Sequence, residues 1–440
     1  MIRFALLLAA SIVAASPAAA APRSIESIAL PPSVQHGVEM VVIDEGAMPP
    51  EPELARREFD ELADASWSGA PVDLTQPVHA LYTELRRQLV RYQIEWSGLP
   101  QIQVPADGPA LTVGSKDPRV PLLRERLGLP PEGAFDAALK AKVARYQRVH
   151  GLKEDGVAGA ATLQSLNRGA AHYEKTILIN MERARRLPPP GSMGRYILVD
   201  AGSARLWMYE DGKPVDSMRV IVGNAETQTP MMAALMRYVS LNPYWNVPPE
   251  LARSLIAPRV LEQGLTYLIE RDYEVLETWA EDAPRLDPAR VDWRAVADNK
   301  LHPRLRRGPG PWNSMGKMKF MMPNDFGIYL HDVPDKAVFD AENRWISNGC
   351  VRLEDAARLA RWIFGTTPKP RTGEPEERVD IADPMPVYIT YLTVDPRSEV
   401  VFRNDPYGRD APVMMRFADQ LDRAGRSAHA APAAVAVPQS

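Results

Sequence analysis

Arg195-Tyr196-Ile197-Leu198-Val199-Asp200, Ala204-Arg205-Leu206-Trp207-Met208-Tyr209-Glu210 and Ser217-Met218-Arg219-Val220-Ile221-Val222 decide the fold. Branched and aromatic residues dominate all three runs, which predicts strands. Asp211-Gly212 falls between the last two, and that pair is the preferred chemistry of a two-residue hairpin turn. Further strands are expected around 238–241, 327–330 and 387–392. Together they predict a mostly antiparallel, sandwich-like β-domain. Residues 251–310 interrupt it with helical stretches, and an insertion of that length suggests a lid over a site, against a merely ornamental subdomain.

Upstream the period changes from 2 to 3.6. Leu81, Tyr82, Leu85, Leu89 and Tyr92 form one helical stripe, ended by Gly98-Leu99-Pro100. Asp117-Pro118 opens a second helix with Val120, Leu123 and Leu127 on one face, and Asp136 caps a third through Leu139, Val143, Tyr146 and Val149. A turn-rich connector, residues 151–159, leads to a last helix through Leu163 and Leu166. Residues 174–187 read as a helical connector closed by Pro188-Pro189-Pro190.

Arg3, the apolar run from Phe4 to Ala15 and Ala18-Ala19-Ala20 have the pattern of a secretory signal, against an uncleaved anchor; the run is shorter than the ~20 residues of a span. The net charge of −4 supplies no electrostatic reason to expect nucleic acid. No later stretch is apolar enough for a transmembrane span.

Cys350 is the only cysteine in the 440 residues, so it has no disulfide partner within the chain. It reads either as a small buried hydrophobe or as a nucleophile. Its surroundings favour the nucleophile. Gly349 permits a tight turn that leaves the amides of Gly349 and Cys350 free for an oxyanion. His331 follows the apolar Ile328-Tyr329-Leu330 and ends a strand, with a backbone carbonyl as its expected orienting partner, because Asp332 would face the other way. Residues 354–364 read as a helix that would place its N-terminus next to the thiol and favour a thiolate. The remaining histidines, His36, His150 and His302 among them, lack metal-ligand spacing.

His331 followed by Ser347-Asn348-Gly349-Cys350-Val351-Arg352 resembles the signature of the L,D-transpeptidase catalytic domain, the YkuD type. Val222-Gly223-Asn224, Thr229-Pro230, the run from Leu241 to Pro248, Gly308-Pro309-Gly310, Lys319-Phe320 and Pro323-Asn324 extend the likeness. The common form has a second histidine where this chain has Asn348, which leaves His331 as the base. Val143, Tyr146-Gln147, Gly151-Leu152, the run from Asp155 to Gly159 and Thr162-Leu163 resemble a small peptidoglycan-binding domain, against a helical scaffold that never touches glycan. The overall order is similar to the large YcbB-type subgroup.

The resemblance implies an α+β multidomain chain with these parts: 1–20 signal peptide, 21–75 linker, 76–108 helical scaffold segment, 109–168 peptidoglycan-binding domain and 169–194 helical connector. The catalytic domain follows at 195–410, with its insertion at about 251–310, and 411–440 is a C-terminal helix and disordered tail. It implies peptidoglycan tetrapeptide stems as donor and acceptor, no metal or organic cofactor, a periplasmic wall location and acylation of Cys350 by carbapenems. By the same resemblance Cys350 is the nucleophile, His331 the base and Gly349 the carbonyl that orients His331. Tyr329, Ser347, Asn348 and Arg352 are substrate-binding or structural supports, Arg352 taking either a stem carboxylate or an internal ion pair. Water or a protein amine as acceptor, and a non-catalytic wall-binding scaffold, stand as alternatives.

Overall fold

The computed structural model describes residues 41–43 and 78–423, apart from 281–282, 325, 396, 398–400 and 420. The expected signal peptide, the expected linker apart from 41–43, and the tail after 423 lie outside the described residues.

The hairpin chemistry is realised directly. Asp211 and Gly212 take φ of 48° and 75°, the left-handed pair that a tight hairpin demands. They join β2 (Arg205–Glu210) to β3 (Lys213–Gly223), and β1 (Arg195–Asp200) pairs antiparallel on the other side of β2. The sheet continues through β4 (Met232–Leu241), β5 (Met318–Met321), β6 (Leu330–His331), β7 (Val351–Leu353) and β8 (Glu377–Thr390). Pairing runs β4-β5-β6-β7-β3-β2-β1-β8 and returns to β4, so the ring closes and none of the eight is left as an edge. Only β6–β7 and β1–β8 are parallel within it. Residues 377–380 pair with 238–241.

The period of 2 assigns side chains to two cores. Ile197, Val199, Leu206 and Met208 point to the interior of the ring, where Leu330, Val351 and Phe320 also lie. Their neighbours Tyr196, Leu198, Trp207 and Tyr209 point outward into a second core with the helical unit. That unit comprises α1 (Ala80–Tyr92), α2 (Arg119–Arg126), α3 (Ala137–Val149), α4 (Ala160–Arg168) and α5 (Ala170–Arg185). Asp136 caps α3 by accepting from the Leu139 amide at 2.8 Å. Gln147, 2% exposed, holds the 151–159 connector from both ends of its amide. Its Oε1 accepts from Gly156 N at 2.8 Å, and its Nε2 donates to the Val157 carbonyl at 2.9 Å. His79 joins α1 to the ring through a 2.9 Å bond to the Tyr196 hydroxyl.

The insertion is not simply helical. It carries a four-stranded sheet built from Trp245–Val247, Arg304–Arg307, Tyr273–Leu276 and Arg285–Leu286 beside its helices. Trp245 packs in the insertion's own core with Val247, Val275 and Trp293. Tyr329 of the ring packs against that same core. No helix among the described residues is long and apolar enough to cross a membrane.

Candidate active site

Strand register assembles the site. His331 pairs with Arg352 across the parallel β6–β7 ladder, and with Lys319 across β5–β6. Residues paired in register share a face, so Arg352, His331 and Lys319 form a row on the outside of the ring. The intervening Leu330, Val351 and Phe320 fill the interior at 0% exposure. Two residues before His331, Tyr329 shares its face, and Cys350 likewise shares the face of Arg352. Four of the residues singled out from sequence therefore lie on one surface, and Lys319 joins them. Lys319 was noted in the sequence only as part of the wider likeness; the register signal that places it cannot be read without the pairing.

His331 is 2% exposed, and its Nδ1 lies 2.6 Å from the Asp332 carbonyl. A carbonyl only accepts, so Nδ1 carries the proton and Nε2 presents a lone pair. Among the described residues nothing hydrogen-bonds Nε2. Burial, followed by the Arg352 guanidinium and the Lys319 and Lys336 ammoniums, drives the imidazole down to about 3 despite its carbonyl partner. The ring is neutral at physiological pH.

Cys350 is half-buried, and its thiol donates to the Gly327 carbonyl at 3.7 Å. Burial pushes the thiol up, opposed by hydrogen bonds from the main chain and hydroxyl of Tyr329 and by the charges of Lys319 and Arg352. The expected thiolate bias from a helix N-terminus is absent. Val351–Leu353 is a strand, and α6 (Ala356–Phe364) begins only after Asp355 caps it, so its dipole starts too far along the chain to act on the sulfur. Thiol and imidazole therefore rest as a neutral pair.

The nucleophile turn sits on a seat made by residues 223–229. Gly349 takes φ of 110°, a conformation that L side chains rarely adopt. Its carbonyl accepts from Thr229 Oγ1 at 2.7 Å rather than orienting His331, a role the structure assigns to Asp332. Its amide is not free either: it donates to Ser347 Oγ at 3.2 Å, and that hydroxyl donates onward to the Cys350 carbonyl at 2.7 Å. Ser347, 2% exposed, thus braces the turn internally, while Asn348 is exposed. Gly223 is required by contact, since a Cβ there would lie 2.0 Å from the Thr227 carbonyl. Asn324 shapes the approach to Tyr329, accepting from Ile328 N at 3.1 Å and donating to the Ile328 carbonyl at 2.7 Å.

Arg352 forms no ion pair among the described residues, which sets aside the internal salt bridge there. The Lys319 ammonium lies 5.1 Å from the centroid of the Tyr329 ring. Asp332 is turned away from this row and pairs with Lys336 at 2.6 Å. The face around the sulfur is therefore cationic and suited to carboxylates. Among the described residues no three His, Cys, Asp or Glu side chains converge as a metal site.

Residues 194–389 match the family described as the YkuD L,D-transpeptidase catalytic domain. That stretch is similar to an L,D-transpeptidase catalytic domain. Residues 123–166, within the helical unit, match a putative peptidoglycan-binding domain. A putative L,D-transpeptidase of Haemophilus influenzae is 31% identical over 248 residues, covering 54% of this chain and 49% of its own length. The chain thus spans about half of that curated relative. Among solved structures, L,D-transpeptidase 3 from Mycobacterium tuberculosis aligns over 45% of this chain and 61% of its own, at 13% identity and a TM-score of 0.23. An L,D-transpeptidase from Mycobacterium smegmatis aligns over 45% and 58%, at 13% identity and a TM-score of 0.21.

Proposed function

We propose that the protein is an exported peptidoglycan L,D-transpeptidase acting at the cell wall. The observation carrying this reading is the lone-pair face of His331 Nε2, left unbonded on the same surface as Cys350 in a domain of this type. Cys350 Sγ attacks the carbonyl between the L-centre of meso-diaminopimelate and the terminal D-alanine of a tetrapeptide stem. His331 Nε2 takes the thiol proton as the C–S bond forms and gives it to the departing D-alanine amine. The side-chain amine of a second diaminopimelate then attacks the thioester, releases the thiol and leaves a direct cross-link.

A neutral resting pair fits this order of events. The thiol loses its proton during attack, so no buried ion pair has to be maintained beforehand. The Asp332 carbonyl stabilises the imidazolium formed in passing, as a positioned acceptor on its Nδ1 proton. With the Gly349 amide committed to Ser347, the Cys350 amide is the donor that this turn offers to the oxyanion. Arg352 and Lys319 meet stem carboxylates, and Tyr329 steadies the developing sulfur charge while it carries the insertion against the site. Carbapenems, whose strained carbonyl invites the same attack, acylate Cys350 under this reading.

The test is incubation of protein lacking residues 1–20 with tetrapeptide-stem disaccharides, followed by mass spectrometry of the products. A dimer joined through two diaminopimelates, absent with Cys350→Ala, is the expected result. Tripeptide as the sole product would replace cross-linking with water as acceptor. Substrate bound but unchanged would leave a wall-binding scaffold.

A further inference from the structure

Thr229 never faces the substrate, yet it holds the main chain on which the nucleophile depends. Its hydroxyl donates to the Gly349 carbonyl at 2.7 Å and accepts from the Gly223 amide at 2.9 Å. Thr229 is itself 0% exposed and clamped through its main chain by residues from the far end of the sequence. The Thr229 amide donates to the Tyr407 hydroxyl at 3.3 Å, and the Thr229 carbonyl accepts from Arg409 Nη2 at 3.2 Å. The same Tyr407 hydroxyl donates to the Gly223 carbonyl at 2.8 Å, so both sides of the seat are held by one phenol.

We propose that Thr229, clamped by Tyr407 and Arg409, is a positioning residue that sets where the Cys350 sulfur sits. The inference rests on the reading of Cys350 as the nucleophile and adds what aims it. Gly349 precedes the sulfur-bearing residue, and at a φ of 110° its peptide has no steric preference to keep it in place. Ser347 holds the Gly349 amide, and the Thr229 bond holds the carbonyl that leads on to Cys350. A buried carbonyl deprived of its donor would rotate to find another, carrying the Cys350 amide and Cβ with it. Displacements of about 1 Å at a reacting atom cost on the order of 100-fold in rate.

The clamp also extends to the helical unit. Tyr407 N donates to the Tyr391 hydroxyl at 3.0 Å, and that hydroxyl donates to Asp405. The other Asp405 oxygen accepts from Asp410 N at 2.8 Å, and the Asp410 carboxylate pairs with Arg183 of α5 at 2.7 Å. A continuous path of polar contacts, part-buried at Asp405 and buried beyond it, thus runs from the helix that follows the peptidoglycan-binding match to the turn beside the sulfur.

The experiment uses the sole cysteine as its own reporter. Cys350 of the full chain is alkylated with iodoacetamide across a pH series in wild type, Thr229→Val, Thr229→Ser and Tyr407→Phe, alongside thermal melting and D-alanine release from tetrapeptide stems. Thr229→Val and Tyr407→Phe keep the shape and remove one hydroxyl each. They are expected to alkylate several-fold faster, with the inflection moved down towards an ordinary thiol as the sulfur loses its enclosure, while D-alanine release falls roughly 10- to 100-fold. Thr229→Ser, which retains the donor, should stay within about 3-fold of wild type on both readouts. If both hydroxyl deletions lower the melting temperature yet keep the wild-type alkylation rate and pH profile, Thr229 is structural only and the proposal is wrong. Should Thr229→Val fail to fold, Tyr407→Phe decides by the same criteria. Altered labelling in a protein whose wild type releases no D-alanine would overturn the transpeptidase reading and leave the positioning role standing.

Discussion

Two histidines in this molecule share burial and a depressed pKa but differ in what their nitrogens touch. His150, in the helical unit, is 6% exposed, and His331, on the catalytic sheet, is 2% exposed. Burial holds each at about 3. His150 is fully occupied: Nδ1 meets the Tyr146 carbonyl at 2.8 Å, Nε2 meets the Tyr92 hydroxyl at 3.0 Å, and the ring stacks on Tyr146 at 3.7 Å. His331 has one nitrogen anchored and one unbonded among the described residues. A perturbed pKa alone would nominate both. The unspent lone pair, on the face it shares with a thiol, separates a reactive group from a packing one.

Alanine at each position should break the comparison open. His331→Ala is expected to lower acyl transfer by about 100- to 10,000-fold, with a stability cost as well because its imidazole is buried. His150→Ala should cost about 2–4 kcal/mol through the cavity and the orphaned Tyr92 hydroxyl, with near-normal turnover by the molecules that stay folded. Turnover assays paired with denaturant unfolding read both effects.

Acid should treat the two histidines alike, because stability depends on the proton and not on the role. Their folded pKa values lie near 3, against 6.5 unfolded, and His79 is held at about 4 by burial. Below 6.5 the unfolded chain takes up protons that the folded chain refuses, so stability falls as pH drops from 6.5 towards 3. By pH 5 the loss is about 2 kcal/mol for each such histidine. Urea melts at pH 8 and pH 5 should show it, and His150→Ala should remove part of the difference. A pH-independent midpoint would contradict the neutral buried imidazoles.

Titration of the thiol sharpens the catalytic side. Cys350 alkylation should rise with pH in one step centred above the ordinary thiol value, with no step between 6 and 7 where an unperturbed histidine would titrate. Arg352→Gln removes a cation that favours the thiolate and should move that step further up, by about one unit or less. The smallest effect is reserved for Asn348→His, which restores the common histidine at an exposed position. A change in turnover of no more than about 3-fold is expected, because His331 already supplies the base.

The sequence disclosed the chemistry better than its geometry. The Asp211-Gly212 hairpin and the α3 stripe were readable because both are local: turn residues and apolar spacing act within a few positions. Ring closure was not, since β4 and β8 pair across more than a hundred residues. The sequence pointed to Cys350, His331 and Arg352, but their register and the arrival of Lys319 beside them follow from strand pairing. The helix expected at 354–364 is present from Ala356, but three residues of strand, Val351 to Leu353, separate its N-terminus from Cys350 along the chain. Gly349 was correctly read as a turn former, and its carbonyl was assigned to the wrong partner because Thr229 reaches it only in three dimensions.

Intact-protein mass spectrometry of enzyme quenched in acid during turnover of tetrapeptide stems, with the adduct mapped by proteolysis, decides whether Cys350 carries the acyl group. A tripeptide-stem thioester on Cys350 is expected, absent from Cys350→Ala and greatly slowed to form in His331→Ala. Continued release of D-alanine by Cys350→Ala, with no adduct on the wild type, would contradict it.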